Sequence, residues 1–264
     1  MNERRPIDTA RLHQRVVGHG PFTHLYYTEE TGSTNTDLAR AATEGAPTWS
    51  AAVTESQTAG KGRKNRVWVT PPYSQVTLSV LFRPHGSALA RLGTMPLMTG
   101  LALIDALREH SINAQLKWPN DVLLNGKKLC GILGEAVSLG EEPALVMGLG
   151  LNVSLTQEEL PVPHATSLEL EGYEVDRTDL VGDILLALHH RLGQWAAGVI
   201  SPMDAYRQVC SSIGQQVRVH LSETQVLEGE CVGVGDDGRI HVRDSAGELH
   251  QLSAGDVEHL RLKR

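Results

Sequence analysis

The apolar positions along this chain switch between two periods, and the switches mark out helices and strands. Leu89, Leu92, Leu97, Leu101, Ile104 and Leu107 keep helical spacing, which predicts a helix over 89–109 with Pro96 at its start or at a kink. Leu180, Ile184, Leu188, Leu192 and Trp195 repeat that spacing, and 204–210 extends the helical region. Residues 35–43 are Ala-rich and follow Ser33 and Thr34, either of which can cap a helix start. A short capped helix is expected over 8–17. Segments 51–55, 76–83, 112–117 and 145–153 alternate or run apolar as strands do. Residues 122–124 and 127–133 flank Asn125-Gly126, the sequence of a two-residue type I′ hairpin turn. The polar stretch 28–33 reads as a connector.

Past residue 212 the texture changes. Short strands are expected at 217–221, 229–234, 239–242 and 248–252, with turns at 235–238 and 245–247. Closely spaced short strands of this kind predict a small β-barrel. From Ile213 onward there are six Lys/Arg against nine Asp/Glu, so this unit is acidic and ill suited to DNA.

Composition narrows the class. At 264 residues the chain can bury a sizeable core. The longest uncharged run, 67–82, is sixteen residues with two prolines, which argues against a membrane span. The first fifteen residues are polar and basic, without the apolar stretch of a signal peptide. Cys130, Cys210 and Cys231 are widely spaced and form no CxxC, which argues for a reducing cytoplasm and against a zinc site. None of the twelve histidines makes an HExxH-type pair, so no metal site is expected.

Two segments carry candidate chemistry. In Lys117-Trp118-Pro119-Asn120-Asp121, Lys117 emerges from a mostly buried strand that Pro119 must end. A partly desolvated ammonium suits a site where negative charge develops, while Asn120 and Asp121 read as turn residues. In Gly60-Lys61-Gly62-Arg63-Lys64-Asn65-Arg66-Val67-Trp68, four cations and two glycines occur with no acid, on a chain whose net charge is −7. Cations beside a glycine-opened backbone suit phosphate or carboxylate, yet the order is not that of a Walker A loop.

Together with Gly32-Ser33-Thr34-Asn35, Gln57-Thr58-Ala59, Lys128-Leu129-Cys130-Gly131-Ile132-Leu133 and Gly148-Leu149-Gly150-Leu151-Asn152-Val153, these segments resemble the signatures of biotin protein ligases, in the family's order and at similar spacing. The likeness runs from Thr28 to the C-terminus. It implies an α+β fold: a central mixed β-sheet flanked by helices, of the class II synthetase and biotin ligase type, with a small SH3-like C-terminal β-barrel. The expected division is a catalytic domain at 1–211 and the SH3-like domain at 212–264. The resemblance implies activation of biotin by ATP and Mg²⁺ to biotinyl-5′-AMP. Transfer then follows to one lysine of a biotin carboxyl carrier domain of acetyl-CoA carboxylase or a related enzyme, in the cytoplasm. By that likeness Ser33, Thr34, Asn35 and Gln57 line the biotin pocket, where hydroxyls and amides match a ureido ring. Lys61, Gly62 and Arg63 close over biotin and its acyl phosphate, and Lys117 contacts the reacting groups, with Arg63 as the second catalytic cation. Gly60, Arg66, Trp68, Asn120, Lys128, Gly148, Gly150 and Asn152 face the ATP or adenylate, and no residues are expected to hold a metal tightly.

The chain departs from the family pattern at three places. Lys61 replaces an arginine, keeping the charge but losing the planar fork. Asn65 replaces a glycine and tolerates left-handed backbone better than most residues. Cys130 stands where alanine is more usual and reads as a small buried hydrophobe. Some relatives carry an N-terminal helix-turn-helix; the roughly thirty residues before Gly32 are too few for one, so no specific DNA partner is expected. Two other readings remain at this point: an enzyme that attaches lipoate or octanoate, and a non-catalytic biotin-binding regulator.

Overall fold

Alternation within fully buried strands sorts the side chains of this chain onto two faces of one sheet. The computed structural model describes residues 4–140, 142–198, 203–222, 224–253 and 255–260. Strands β1 (His24–Thr31), β2 (Ser50–Gln57), β3 (Gln75–Phe82), β4 (Gln115–Lys117), β5 (Asp121–Leu124), β6 (Lys127–Ser138) and β7 (Ala144–Asn152) form a seven-stranded sheet in the order β1-β2-β3-β7-β6-β5-β4. Only β1 and β2 run parallel, so the sheet is mixed, as expected. The helices are α1 (Thr9–His13), α2 (Thr34–Thr43), α3 (Met95–Glu109), α4 (Arg177–Ala197) and α5 (Met203–Val209).

Successive strand residues point to opposite faces, so one strand feeds two cores. Val80 and Phe82 of β3 join Leu101 and Ile104 of α3 and Leu185 and Leu188 of α4 in the large core. Leu81, between them, faces the other way and packs with Leu38 and Ala42 of α2 and Val146 of β7. Leu180, Ile184, Leu188, Leu192 and Trp195 are all buried along α4, which is what their spacing predicts. Pro96 lies in the first turn of α3, where its missing N–H costs no helical bond, and a 3₁₀ stretch at Gly86–Thr94 leads into it. The helical stretch Gly86–Glu109 is long and apolar enough by composition to cross a membrane, but the apolar residues of α3 lie in the core. Asn125 and Gly126 both have positive φ, at 51° and 76°, as a type I′ turn requires.

The structure corrects the sequence reading in several places. Residues 28–31 belong to β1 and are not a connector; this edge strand is exposed along most of its length and so lacks an apolar run. Ser33 makes no capping bond; instead Gln57 Oε1 accepts from the backbone N–H of Thr34 at 2.9 Å. The strand expected over 112–117 is regular only at Gln115–Lys117.

The C-terminal unit is a five-stranded antiparallel sheet of β8 (Gln216–His220), β9 (Val226–Val234), β10 (Ile240–Arg243), β11 (Leu249–Leu252) and β12 (Asp256–His259), in the order β11-β10-β9-β8-β12. Four strands were expected; β12 escaped because Val257 is its only apolar residue. Trp118, at the β4–β5 turn, ties this unit to the larger one. It is 2% exposed, its indole N–H donates to Gly238 O at 2.9 Å and its backbone N–H to Ser212 Oγ at 3.3 Å.

Glu55 anchors the N-terminal segment. Its side chain is 1% exposed and accepts from Arg177 at 2.6 Å, from the Ile7 N–H at 2.6 Å and from the Tyr27 hydroxyl at 3.1 Å. Removing one partner of a buried ion pair leaves the other charge uncompensated, at a loss of roughly 3–5 kcal/mol. Glu55→Ala is expected to lose stability on that scale in urea unfolding, and a loss below about 1 kcal/mol would show that the pair is not an anchor.

Candidate active site

The sheet face that carries α2 changes character beyond the helix. Its alternating positions pass from Leu81 to Ser79 and Thr77 on β3, and from Val146 to Gly148 and Gly150 on β7. Ser79 lies opposite Gly148, Thr77 opposite Gly150, and Gly131 of β6 opposite Gly150 on the other side. Of these, Thr77, Gly131, Gly148 and Gly150 line the floor of a cavity of about 410 Å³, and Ser79 lies behind it. A Cβ on Gly148 would sit 2.0 Å from Asn35 Oδ1, and one on Gly150 would sit 2.3 Å from the Trp68 indole. Glycine is required at both places because side chains from elsewhere lie against the backbone.

At one end of the floor, the start of α2 supplies polar groups. Asn35 Nδ2 donates to Glu135 Oε2 at 2.6 Å, while its Oδ1 accepts from Ser79 Oγ at 2.6 Å. Thr34 Oγ1 lies 2.7 Å from Ser79 Oγ, and Gln57 meets the Thr34 backbone. At the other end, the Trp68 indole N–H donates to Gln75 Oε1 at 3.0 Å. Gln75 Nε2 then reaches Asn152 Oδ1 at 3.1 Å, and Asn152 Nδ2 reaches Thr166 O at 2.8 Å. This chain of buried amides fixes the tryptophan over Gly131 and Gly150.

The basic segment is a tight loop over the cavity. Trp68 N–H donates to Gly60 O at 2.9 Å and Gly62 N–H to Arg66 O at 2.7 Å. Lys64 and Asn65 both have left-handed backbone, with φ of 55° and 59°, so Asn65 adopts the conformation its side chain tolerates. The acid that this segment lacks comes from β12. Asp256 pairs with Arg66, and with Arg63 and Lys64 at 3.4 Å each. Burial alone would raise the Asp256 carboxyl, but the attraction of Arg66, Arg63 and Lys64 holds it below the usual carboxylate range. Arg63 also donates to Asn120 Oδ1 at 3.1 Å, and Lys61 to Thr36 Oγ1 at 2.9 Å.

A second carboxylate–cation group faces the loop. Asp121 lies 2.6 Å from the Lys128 ammonium and 3.9 Å from that of Lys117. Lys128 also stands 5.8 Å from the centre of the Trp68 ring. Burial lowers the Lys117 pKa and nearby Lys128 adds to that, against the opposing pull of Asp121, Asp256 and Glu258. Cys130 is fully buried, and burial pushes its thiol far up, so it behaves as a small inert hydrophobe.

Fifteen of the sixteen residues singled out in the sequence line this one cavity; Gly60 does not. A Cβ at Gly60 would lie 2.3 Å from Trp68 O, so this glycine serves the crossing of the loop's two arms. Sequence reasoning missed Asp121, Asp256 and His164, which also line the cavity. Asp121 passed as a turn residue, although its place in the pentapeptide was a usable signal. Asp256 comes from a strand 190 residues from Arg66, and only the unbalanced cations hinted at such a partner. Among the described residues, Asp244, Glu248 and His250 bring potential metal-ligand atoms within 4.8 Å of one another, but none of the three lines the cavity.

Comparison with known proteins accords with this geometry. Residues 27–152 match the biotin/lipoate A/B protein ligase family and 212–260 the biotin protein ligase C-terminal domain. Over 98% of its length the chain is 37% identical to the biotin–[acetyl-CoA-carboxylase] ligase of Mycobacterium tuberculosis, covering 97% of that protein. The chain belongs to the biotin protein ligases. The bifunctional ligase/repressor BirA of Bacillus subtilis is 29% identical over 89% of this chain and 74% of its own length. The biotin protein ligase of Aquifex aeolicus, solved in complex with biotin and ATP, superposes with a TM-score of 0.77 at 27% identity, covering 91% of this chain and all of that one. Like that protein, this biotin protein ligase combines the mixed sheet with a small C-terminal β unit, which is the fold expected from the motifs.

The bond between loop and C-terminal unit is directly testable. In Asp256→Asn the three cations lose their common counter-charge and repel one another. Hydrogen exchange over 61–67 is expected to quicken by at least several-fold, while exchange in α3 stays unchanged. Equal protection in both proteins would show that the loop is held by its backbone bonds alone.

Proposed function

We propose that this chain activates biotin with ATP to biotinyl-5′-AMP and then transfers biotin to a specific lysine of a biotin carboxyl carrier protein. The carrier domain of acetyl-CoA carboxylase, or of a related biotin-dependent enzyme, is the acceptor. One observation carries the reading: a polar pocket at the start of α2 and a cluster of cations open into the same cavity. Biotin needs hydroxyls and amides for its ureido ring and positive charge for its carboxylate. Ser33, Thr34, Asn35 and Gln57 supply the first; Arg63, Lys61 and Lys117 supply the second. Gly148, Gly150, Trp68, Asn120, Asn152, Arg66 and Lys128 make up the adenylate side, where Trp68 offers a ring face and Lys128 a charge.

Adenylation needs no protein nucleophile, because the biotin carboxylate itself attacks the α-phosphorus and pyrophosphate leaves. The site must hold two anions in line and stabilise charge that spreads onto phosphate oxygens. Lys117 and Lys128, held on either side of Asp121, are two ammonium groups that would stabilise that charge. The loop from Gly60 to Trp68 would shield the mixed anhydride from water. Asp121 and Asp256, the two carboxylates lining the cavity, are already paired with cations, so Mg²⁺ would arrive on the ATP phosphates and not on a protein cage. The boundary between catalytic and C-terminal units is placed at 211/212. Three unpaired buried cysteines suit the cytoplasm, and a net charge of −7 disfavours a DNA partner.

Incubation with biotin, ATP, Mg²⁺ and a carrier domain, followed by intact-mass measurement, tests the reading. One biotinyl increment on the carrier supports it; a lipoyl increment when lipoate is offered, with none from biotin, overturns it. Lys117→Ala is expected to slow pyrophosphate release about 10²–10³-fold with the fold intact. A lysine whose folded pKa is depressed keeps its charge at low pH and loses it as pH rises through that lowered value. Adenylation should therefore decline at a pH below the ordinary lysine value of 10.5, and a pH–rate profile that is flat up to that value would refute a charged Lys117 in the step.

A further inference from the structure

The transfer step poses a problem that adenylation does not. The attacking group is a lysine amine, and a lysine with an ordinary pKa of about 10.4 is almost wholly ammonium at neutral pH. A proton must leave before the nitrogen can attack. Among the described residues, the carboxyl and imidazole groups that line the cavity are Asp121, Asp256 and His164. Asp121 is occupied by Lys117 and Lys128, and Asp256 by Arg63, Lys64 and Arg66. Both carboxylates are already engaged by these cations, which leaves neither free to meet an incoming ammonium. On the ligase reading Lys117 and Lys128 serve as cations toward phosphate, so neither is the base.

His164 differs. Its imidazole has no hydrogen bond or ion pair to a described residue, and the side chain is exposed at the edge of the cavity. Its backbone, by contrast, is fixed. Lys128 N–H donates to His164 O at 2.8 Å, and Thr166 N–H donates to Lys128 O at 2.9 Å. That bridge pins the His164 segment alongside β6 at the residue that carries the Lys128 ammonium. An anchored backbone with an unpaired ring at the rim is suited to meet a group arriving from outside.

We propose that His164 is the general base of the transfer step and takes the proton that the acceptor lysine must lose. The proposal rests on the ligase reading above. The ammonium gives one proton to the free imidazole nitrogen. The amine lone pair then attacks the biotinyl carbonyl carbon, and the bond from that carbon to the phosphate oxygen breaks. AMP leaves with that electron pair and with the second proton, which the nitrogen sheds as the amide forms. The charged groups facing His164 keep its ring unprotonated before the transfer. Burial lowers its pKa from the ordinary 6.5, Lys117 on β4 and Lys128 on β6 lower it further, and Asp121 on β5 opposes them. The ring is thus neutral, and able to accept, at neutral pH.

The test separates the two half-reactions. Preformed biotinyl-5′-AMP and a carrier domain are mixed with wild type or His164→Gln in single turnovers from about pH 6 to about pH 9.5. Wild type should transfer with a rate that rises through an imidazole titration and then levels. His164→Gln should transfer about 10²-fold more slowly near pH 7, with the gap closing toward the alkaline end as free amine becomes abundant. Its deficit in transfer should exceed any deficit in adenylate formation from biotin and ATP at least tenfold. A deficit that is the same at every pH, or that is equal in both half-reactions, overturns the proposal and makes His164 a positioning or nucleotide contact. Transfer by the variant within threefold of wild type near pH 7 also overturns it. Failure of wild type itself to transfer would overturn the ligase reading, a distinct result.

Discussion

The site depends on one steric constraint: three strand positions on the α2 face of the sheet carry no side chain. Gly148 lets Asn35 reach the backbone, and Gly131 and Gly150 let the Trp68 ring lie flat against the sheet. Everything at the cavity is placed with reference to that floor. Asn35 in turn locks Ser79 and Glu135, and Trp68 locks Gln75 and Asn152. The same strands carry large apolar residues on their other face, packed against α3 and α4. A strand buried on both faces can thus provide a rigid core on one side and a ligand floor on the other, with only the alternate positions changed. Rigid placement of this kind is what a reaction driven by positioning and charge requires.

Charge is arranged with equal economy. Five cations line the loop side and the β4–β6 side of the cavity, and two carboxylates are set among them. Without those carboxylates the cations would repel one another, and a partly buried lysine such as Lys117 would readily lose its proton. With them, positive charge persists in a confined space.

Much of this was legible in the sequence because the signals were local. Helical spacing located α3 and α4, Asn125-Gly126 located a hairpin, and fifteen of the sixteen residues picked out by the motifs line one cavity. What the sequence hid was non-local or unpatterned. Edge strand β1 is mostly exposed and edge strand β12 has one apolar residue in four, so nothing in their polarity marks them as strands. Asp256 reaches the basic loop only through the pairing of β12 with β8. The cap of α2 comes from Gln57 on β2, so the Ser33-Thr34 signal was correct about the helix start and wrong about its chemistry. The change from Leu81 to Ser79 and Thr77 is visible in the sequence, and it was read only as a strand; alternate small polar positions within a buried strand were the available sign of a floor.

The pentapeptide shows why its residues occur together. Leu116 and Trp118 are buried in the core, Trp118 also reaching the cavity wall, and Lys117 between them lines the cavity. Trp118 holds the C-terminal unit through Gly238, and that unit delivers Asp256 to the loop. Asn120 accepts from Arg63 of the same loop and donates to Ile132 O at 2.8 Å, while Asp121 lies between Lys117 and Lys128. One short turn therefore joins the sheet, the C-terminal unit, the loop and both lysines. A change at Trp118, which also lines the cavity, would reach the basic loop as well, because the position of β12 sets the counter-charge of that loop. Fold and site are coupled through this turn, and that coupling, more than any single catalytic group, explains why the segment stands out in the sequence.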